Sequence, residues 1–102
     1  MQINDDLFTR EVNEFANEAG QLVDLYAKKN NDYGNSFDKG MDNIGMAYGV
    51  GRIYDKVGRL VNLTKHPNTQ QVDESVEDTL KDLACYSIMM LRYLKQNKRN
   101  NN

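Results

Sequence analysis

The sequence predicts an all-α fold, a four-helix bundle-like single domain. Three observations lead there. Apolar residues recur at spacings of three and four in four successive stretches, no stretch alternates apolar and polar as a strand would, and the 102 residues include one proline. That length suits one domain, here residues 1–97, followed by a polar tail over 98–102. A chain of this size buries one modest core, so a large binding surface calls for several copies.

The first helix is read from Leu7, Val12, Phe15, Ala16, Ala19, Leu22, Val23, Tyr26 and Ala27. It should run for roughly 22–25 residues. Asn4 or Asp5 can cap it, Asp6 and Glu11 suit its positive end, and Lys28 and Lys29 suit its negative end. The polar run from Asn30 to Ser36 should then end it. Phe37, Met41, Ile44 and Tyr48 mark a second, shorter helix, weakened by Gly40, Gly45 and Gly49. Gly49-Val50-Gly51 reads as a joint, and a third helix follows with Val50, Ile53, Val57, Leu60 and Val61 inward. Residues 65–71 form a loop that Pro67 enforces.

Asp73 is the expected N-cap of the fourth helix. Its core positions are Val76, Leu80, Leu83, Ala84, Ser87, Met90, Leu91 and Leu94. The residues 97–102 should fray. Another stripe of this helix carries Glu74, Asp78 and Asp82, then Cys85, Tyr86, Met89 and Tyr93, with Ile88 beside it. Residues 83–91 are therefore apolar nearly all round, which implies cover on two sides. One domain covers one side, and a second copy would cover the other, giving a homodimer or homotetramer with the acids at the interface edge.

The formal net charge of −2, from 13 Lys+Arg against 15 Asp+Glu, gives no global basic field, which disfavours a protein that coats DNA. The single cysteine, Cys85, excludes an intrachain disulfide and suits a reducing compartment, so the expected location is cytoplasmic. One Cys and one His cannot close a structural zinc site. The longest nearly apolar run, 83–91, is too short to span a bilayer, and no membrane partner is expected. His66 sits in a polar loop and offers Cys85 no base.

Three clusters carry candidate chemistry. The segment Asn31-Asp32-Tyr33-Gly34-Asn35-Ser36 offers a carboxylate, a stackable ring, a flexible glycine and a hydroxyl that could cap the next helix. Free N–H groups there could hold a phosphate, although an ordinary capped turn explains the same residues. Arg52, Lys56 and Arg59, spaced by four and three, share one face of the third helix and suit a polyanion, or pair with Asp55 and the fourth helix. Glu74, Asp78 and Asp82, with Glu77 beside them, could hold Mg²⁺ or accept hydrogen bonds from a base or ribose. Their bland role is to match the helix dipole and to pair with Lys56 or Arg59.

The pattern Lys28-x-x-x-Asp32-Tyr33-Gly34, then Arg52-Ile53-x-Asp55-Lys56-x-x-Arg59-Leu60, then Glu74-Ser75-x-x-Asp78-Thr79-Leu80-x-Asp82-Leu83-Ala84-x-Tyr86 resembles the small phage nucleotide-modification-associated domain proteins over roughly residues 25–94. That group looks like a distant relative of the all-α, MazG-like nucleoside triphosphate pyrophosphohydrolases. The resemblance implies a helical, oligomeric protein that handles nucleotides. The hydrolases hold Mg²⁺ with Glu-x-x-Glu and a nearby Glu-x-x-Asp. Here Glu11-x-x-Glu14 stands far from Glu74-x-x-Glu77-Asp78, so the ligand set is not cleanly reproduced and binding is better supported than hydrolysis.

The expected function is therefore sequestration of a nucleotide by a phage protein, with a cyclic nucleotide signal of host antiviral defence as one ligand that resemblance to phage sponges suggests. Arg52, Lys56 and Arg59 would meet phosphates, Tyr33 or Tyr48 would stack on a base, and Asp32 or Asp82 would read base or ribose donors. Gly34, Ser36, Asp78 and Tyr86 complete the expected site, with no cofactor. The alternatives are a Mg²⁺-dependent pyrophosphohydrolase, with Glu74, Asp78 and Asp82 as metal ligands, and an inhibitor of a host enzyme acting by protein contact.

Overall fold

Helical periodicity gives four α-helices and no strand among the described residues. The structure, a computed structural model, describes residues 2–33, 35–65 and 70–100, with the side chains of 6–31, 35–65 and 75–99. The helices are α1 (Gln2–Tyr33), α2 (Ser36–Ile44), α3 (Met46–Leu63) and α4 (Gln70–Asn100). Two compact units divide the chain, Met1–Gly34 and Asn35–Asn102. The first is α1, which leaves Leu7, Phe8, Val12, Phe15 and Val23 exposed.

The second unit is built on α3 and α4. As α3 partners descend from Arg59 to Lys56 to Gly49, their α4 partners ascend from Thr79 to Asp82 to Met90. The two helices are therefore antiparallel. Gly49 makes the close approach possible: a Cβ there would lie 2.9 Å from the sulfurs of both Met41 and Met90. Phe37, Met41 and Met90 form the core, with Tyr48, Ile53, Tyr86, Met89 and Tyr93 packed on it. Burying the Phe37 ring contributes about 1.5–3 kcal/mol. Cross-links hold α2 to α4: Arg92 donates to Asp38, and the Tyr93 hydroxyl donates to Asp42 Oδ1 at 2.5 Å.

Several boundaries differ from expectation. Helix α1 continues through Asn30, Asn31, Asp32 and Tyr33. Asn and Asp cost a helix only about 0.5–0.7 kcal/mol each, too little to end one alone. Asn35, in the left-handed region at φ 61°, precedes α2, and Ser36 lies inside that helix rather than capping it. The joint between α2 and α3 is Gly45, at φ 98° and ψ −164°, a conformation open to glycine alone. Gly49 and Gly51 lie within α3. Helix α4 starts at Gln70, so Asp73 is inside its first turn, and it runs on to Asn100 through most of the expected frayed tail. His66 and Pro67 lie outside the described residues.

The larger correction concerns which face of α4 packs inside the chain. Of its expected core, Met90 is buried, whereas Leu80 (50% exposed), Leu91 (56%), Leu94 and Ser87 face outward. The chain packs instead on Thr79, Tyr86, Met89, Met90 and Tyr93. On α3, Ile53 packs on the core as expected, but Val50, Val57 and Val61 are exposed. Ile44 at the end of α2 is exposed too. No helix among the described residues is long and apolar enough to cross a membrane.

Candidate functional site

The polar flank of the α3–α4 pair gathers most of the expected residues. Of the i, i+4, i+7 row Arg52, Lys56, Arg59, antiparallel packing brings the last two against α4, while Arg52 keeps its partners on α3. Each cation finds a different partner. Arg52 lies 5.6 Å from the centroid of the Tyr48 ring and 3.8 Å from Asp55. Lys56 Nζ lies 3.3 Å from Asp82 Oδ2, with side chains only 27% and 24% exposed. Arg59 donates from Nε to Thr79 Oγ1 at 3.2 Å, and Thr79 in turn donates to the Ser75 carbonyl at 2.6 Å.

The difference matters chemically. Arg52 and Lys56 are partly neutralised by carboxylates. Among the described residues, no carboxylate lies within 4.0 Å of a nitrogen of Arg59. Its Nε serves the hydroxyl, which fixes the plane of the guanidinium, while four further N–H donors remain on the two Nη atoms. A fork held this way suits an anion with paired oxygens. Arg59 also borders a shallow groove of about 450 Å³, lined by Tyr54, Asp55, Gly58, Asn62 and Leu63 as well. Gly58 faces open space there, since a Cβ would meet nothing within 4 Å.

An aromatic cluster sits toward the other end of the same flank. The Phe37 centroid is 5.7 Å from that of Tyr48 and 5.9 Å from that of Tyr86, in tilted arrangements. Nearby, the hydrogen bond to Asp42 raises the Tyr93 phenol above its ordinary pKa of 10.0, opposed in part by a hydrogen bond with Asn97.

Thus Tyr48, Arg52, Lys56, Arg59, Asp82 and Tyr86 converge on one helix pair. Ser36 and Asp78 are exposed. The side chains of Asp32, Tyr33 and Glu74, and all of Gly34, lie outside the described residues. Asp82 is partly buried, as its place on the stripe predicts, and Lys56 answers its charge. Sequence reasoning missed Thr79, Tyr54, Gly58 and Asn62. Thr79 stands three residues before Asp82 on one helix face, which was the available signal. The groove residues have no such signature.

Residues 29–94 match the family described as Nucleotide modification associated domain 1. The chain belongs to that family. The family's span covers the end of α1, all of α2 and α3, and α4 as far as Leu94. It therefore contains every residue of the polar flank and the groove, and leaves out residues 1–28. No curated protein and no solved structure matches the chain.

Proposed function

We propose that this protein binds and sequesters a nucleotide on the polar flank of α3–α4, without turning it over. The observation that carries the reading is Arg59, a guanidinium fixed by Thr79 with no carboxylate partner among the described residues. Its Nη atoms would hold a phosphate. Tyr54, 75% exposed beside the groove, would stack on the base, and the Asn62 amide would pair with a base edge. Tyr48 suits stacking less, because Phe37 and Arg52 already flank its ring. Family membership supports a nucleotide as the ligand class. A cyclic nucleotide signal, captured by a phage protein, is one form of this proposal.

The Mg²⁺-dependent alternative fits the described residues less well. Of its three named ligands, Asp82 is paired with Lys56, Asp78 is exposed, and the Glu74 side chain lies outside the described residues. No step through a metal is therefore derived. One experiment tests the reading. The protein is incubated with Mg²⁺ and a panel of linear and cyclic nucleotides, heat-denatured, and the released compounds are separated by chromatography. Intact ligand released only on denaturation is expected. A monophosphate with pyrophosphate would sink sequestration and favour the hydrolase. Release of nothing from any nucleotide would leave contact with a host enzyme as the better account.

A further inference from the structure

Among the described residues of the second unit, none covers the side of the α3–α4 pair away from α2. From the direction in which α3 meets α4, its exposed residues Val50, Tyr54, Val57 and Val61 are turned by about 100°. On α4 the exposed Leu80, Leu91 and Leu94 are turned by about 100° in the same sense. Because the helices are antiparallel, equal rotations bring both stripes to one side. Helix α2 and the ion pairs Lys56–Asp82 and Arg92–Asp38 occupy the other.

These seven side chains are between 38% and 75% exposed. They leave on the order of 600 Å² of largely apolar surface, at the top of the usual 300–600 Å² range for a monomer's largest patch and approaching the 800 Å² each partner gives a standard interface. Neither stripe contains a charged residue, which marks the centre of an interface rather than its rim.

The spacing says what covers the face. Along α4 the stripe reads Leu80, Leu83, Ser87, Leu91, Leu94, with steps of three, four, four and three. Along α3 it reads Val50, Tyr54, Val57, Val61, with steps of four, three and four. The α4 series reads the same in either direction, so an antiparallel second copy sets apolar against apolar along its whole length, residue i meeting j' while j meets i'. About Ser87, Leu80 opposes Leu94' and Leu83 opposes Leu91'. The small exposed Ser87, its hydroxyl turned back to the Leu83 carbonyl at 3.0 Å, leaves room where the two helices cross. Glu77 and Lys98 flank opposite ends, so each would face the other across the dimer.

We infer that a second copy of this chain packs on the face formed by Val50, Tyr54, Val57, Val61, Leu80, Leu91 and Leu94, with α4 antiparallel to its counterpart and Ser87 at the two-fold axis. This is the opposite face of α4 from the one that carries Cys85, Tyr86, Met89 and Tyr93. The groove beside Tyr54 then lies at the rim of the dimer.

Light scattering on the full chain tests the assembly, and cross-linking tests the face. The expected mass is two 11.7 kDa chains, or four if dimers pair further. Leu91→Glu should weaken association by roughly a hundredfold or more with helical content unchanged, because Leu91 is exposed in the single chain. Ser87→Cys should be joined to its counterpart by a short bis-maleimide, and Asn62→Cys should not. A monomer at 100 micromolar, as would result if α1 of the same chain covers the face, overturns the inference. So does a Leu91→Glu protein that associates like the wild type, or a Ser87→Cys protein that stays uncross-linked. Tyr54 is shared with the groove proposed to hold the nucleotide, so the assembly is read only through Leu91 and Ser87, which do not line that groove.

Discussion

Arg59 on α3 reaches Thr79 on α4 through Nε, and Thr79 is the most fully enclosed polar side chain described, at 2% exposure. The hydroxyl thus acts as a buried clamp on a guanidinium whose remaining donors are available. Two substitutions separate clamp from ligand contact.

Arg59→Ala should weaken nucleotide binding far more than folding. A charge-assisted contact to phosphate is worth about 1.5–3 kcal/mol, roughly ten- to over a hundredfold in affinity. Thr79→Val should keep the shape, lose the clamp, and cost part of that affinity together with some stability. Calorimetry on the folded variants checks both. Unchanged affinity in Arg59→Ala would remove Arg59 from the site.

Asp82→Asn leaves Lys56 without its partner at a site less than a third exposed. The expected result is a lower melting temperature, by the equivalent of about 1 kcal/mol, and an affinity loss of about 1–3 kcal/mol if Asp82 also reads the ligand. Both effects should be the same with Mg²⁺ or with chelator. Wild-type binding that vanishes in chelator would instead point to a metal site.

Gly49→Ala and Gly51→Ala should move stability in opposite directions. A Cβ at Gly49 meets two methionine sulfurs at 2.9 Å, so overpacking of about 1–3 kcal/mol outweighs the helix-propensity gain of about 1 kcal/mol. At Gly51 a Cβ meets nothing within 4 Å, so only the gain remains. Urea denaturation of the two variants would settle the sign, and equal shifts would refute the close packing at Gly49.

Tyr93 gives a pH signature. Its folded pKa is raised above 10.0 by the hydrogen bond to Asp42. The stabilisation is therefore fully present below the unfolded value near 10 and is lost as pH rises through the folded value. Tyr93→Phe should be less stable than wild type near neutrality, and the gap should close in strongly alkaline solution. Alkaline difference spectra should show one phenol fewer titrating at the high end. A gap that persists unchanged in strongly alkaline solution would mean the hydrogen bond contributes nothing.

The four helices were legible because Phe37 and Met41, or Ile53 and Leu60, repeat at helical spacing. The packing face of α4 was not. Residues 83–91 are apolar nearly all round, so periodicity could not choose between Leu80–Leu91 and Tyr86–Met89. The choice was made by partners distant in sequence, Gly49 against Met90 and Arg59 against Thr79. The glycines were ambiguous for a related reason. Gly45 is needed for its backbone angles and Gly49 for close approach, and the letter is the same. In the site, the i, i+4, i+7 cations were readable, as was the pairing of Lys56 with an acid on α4. The groove was not, because Tyr54, Gly58 and Asn62 acquire meaning only from the surface they share.

The core of the second unit places two thioethers against one glycine, with Met41 at 2% and Met90 at 8% exposure, while Met46 stands 49% exposed. That contrast makes the methionines an internal clock. Peroxide would convert Met46 to its sulfoxide directly, but could reach Met41 and Met90 only when α2 lifts from α3 and α4. The ratio of the two oxidation rates, read by peptide mass spectrometry, therefore reports the fraction of time the unit stands open. Each oxidation would also be remembered, since a sulfoxide in that apolar pocket would hold the helices apart until it is reduced.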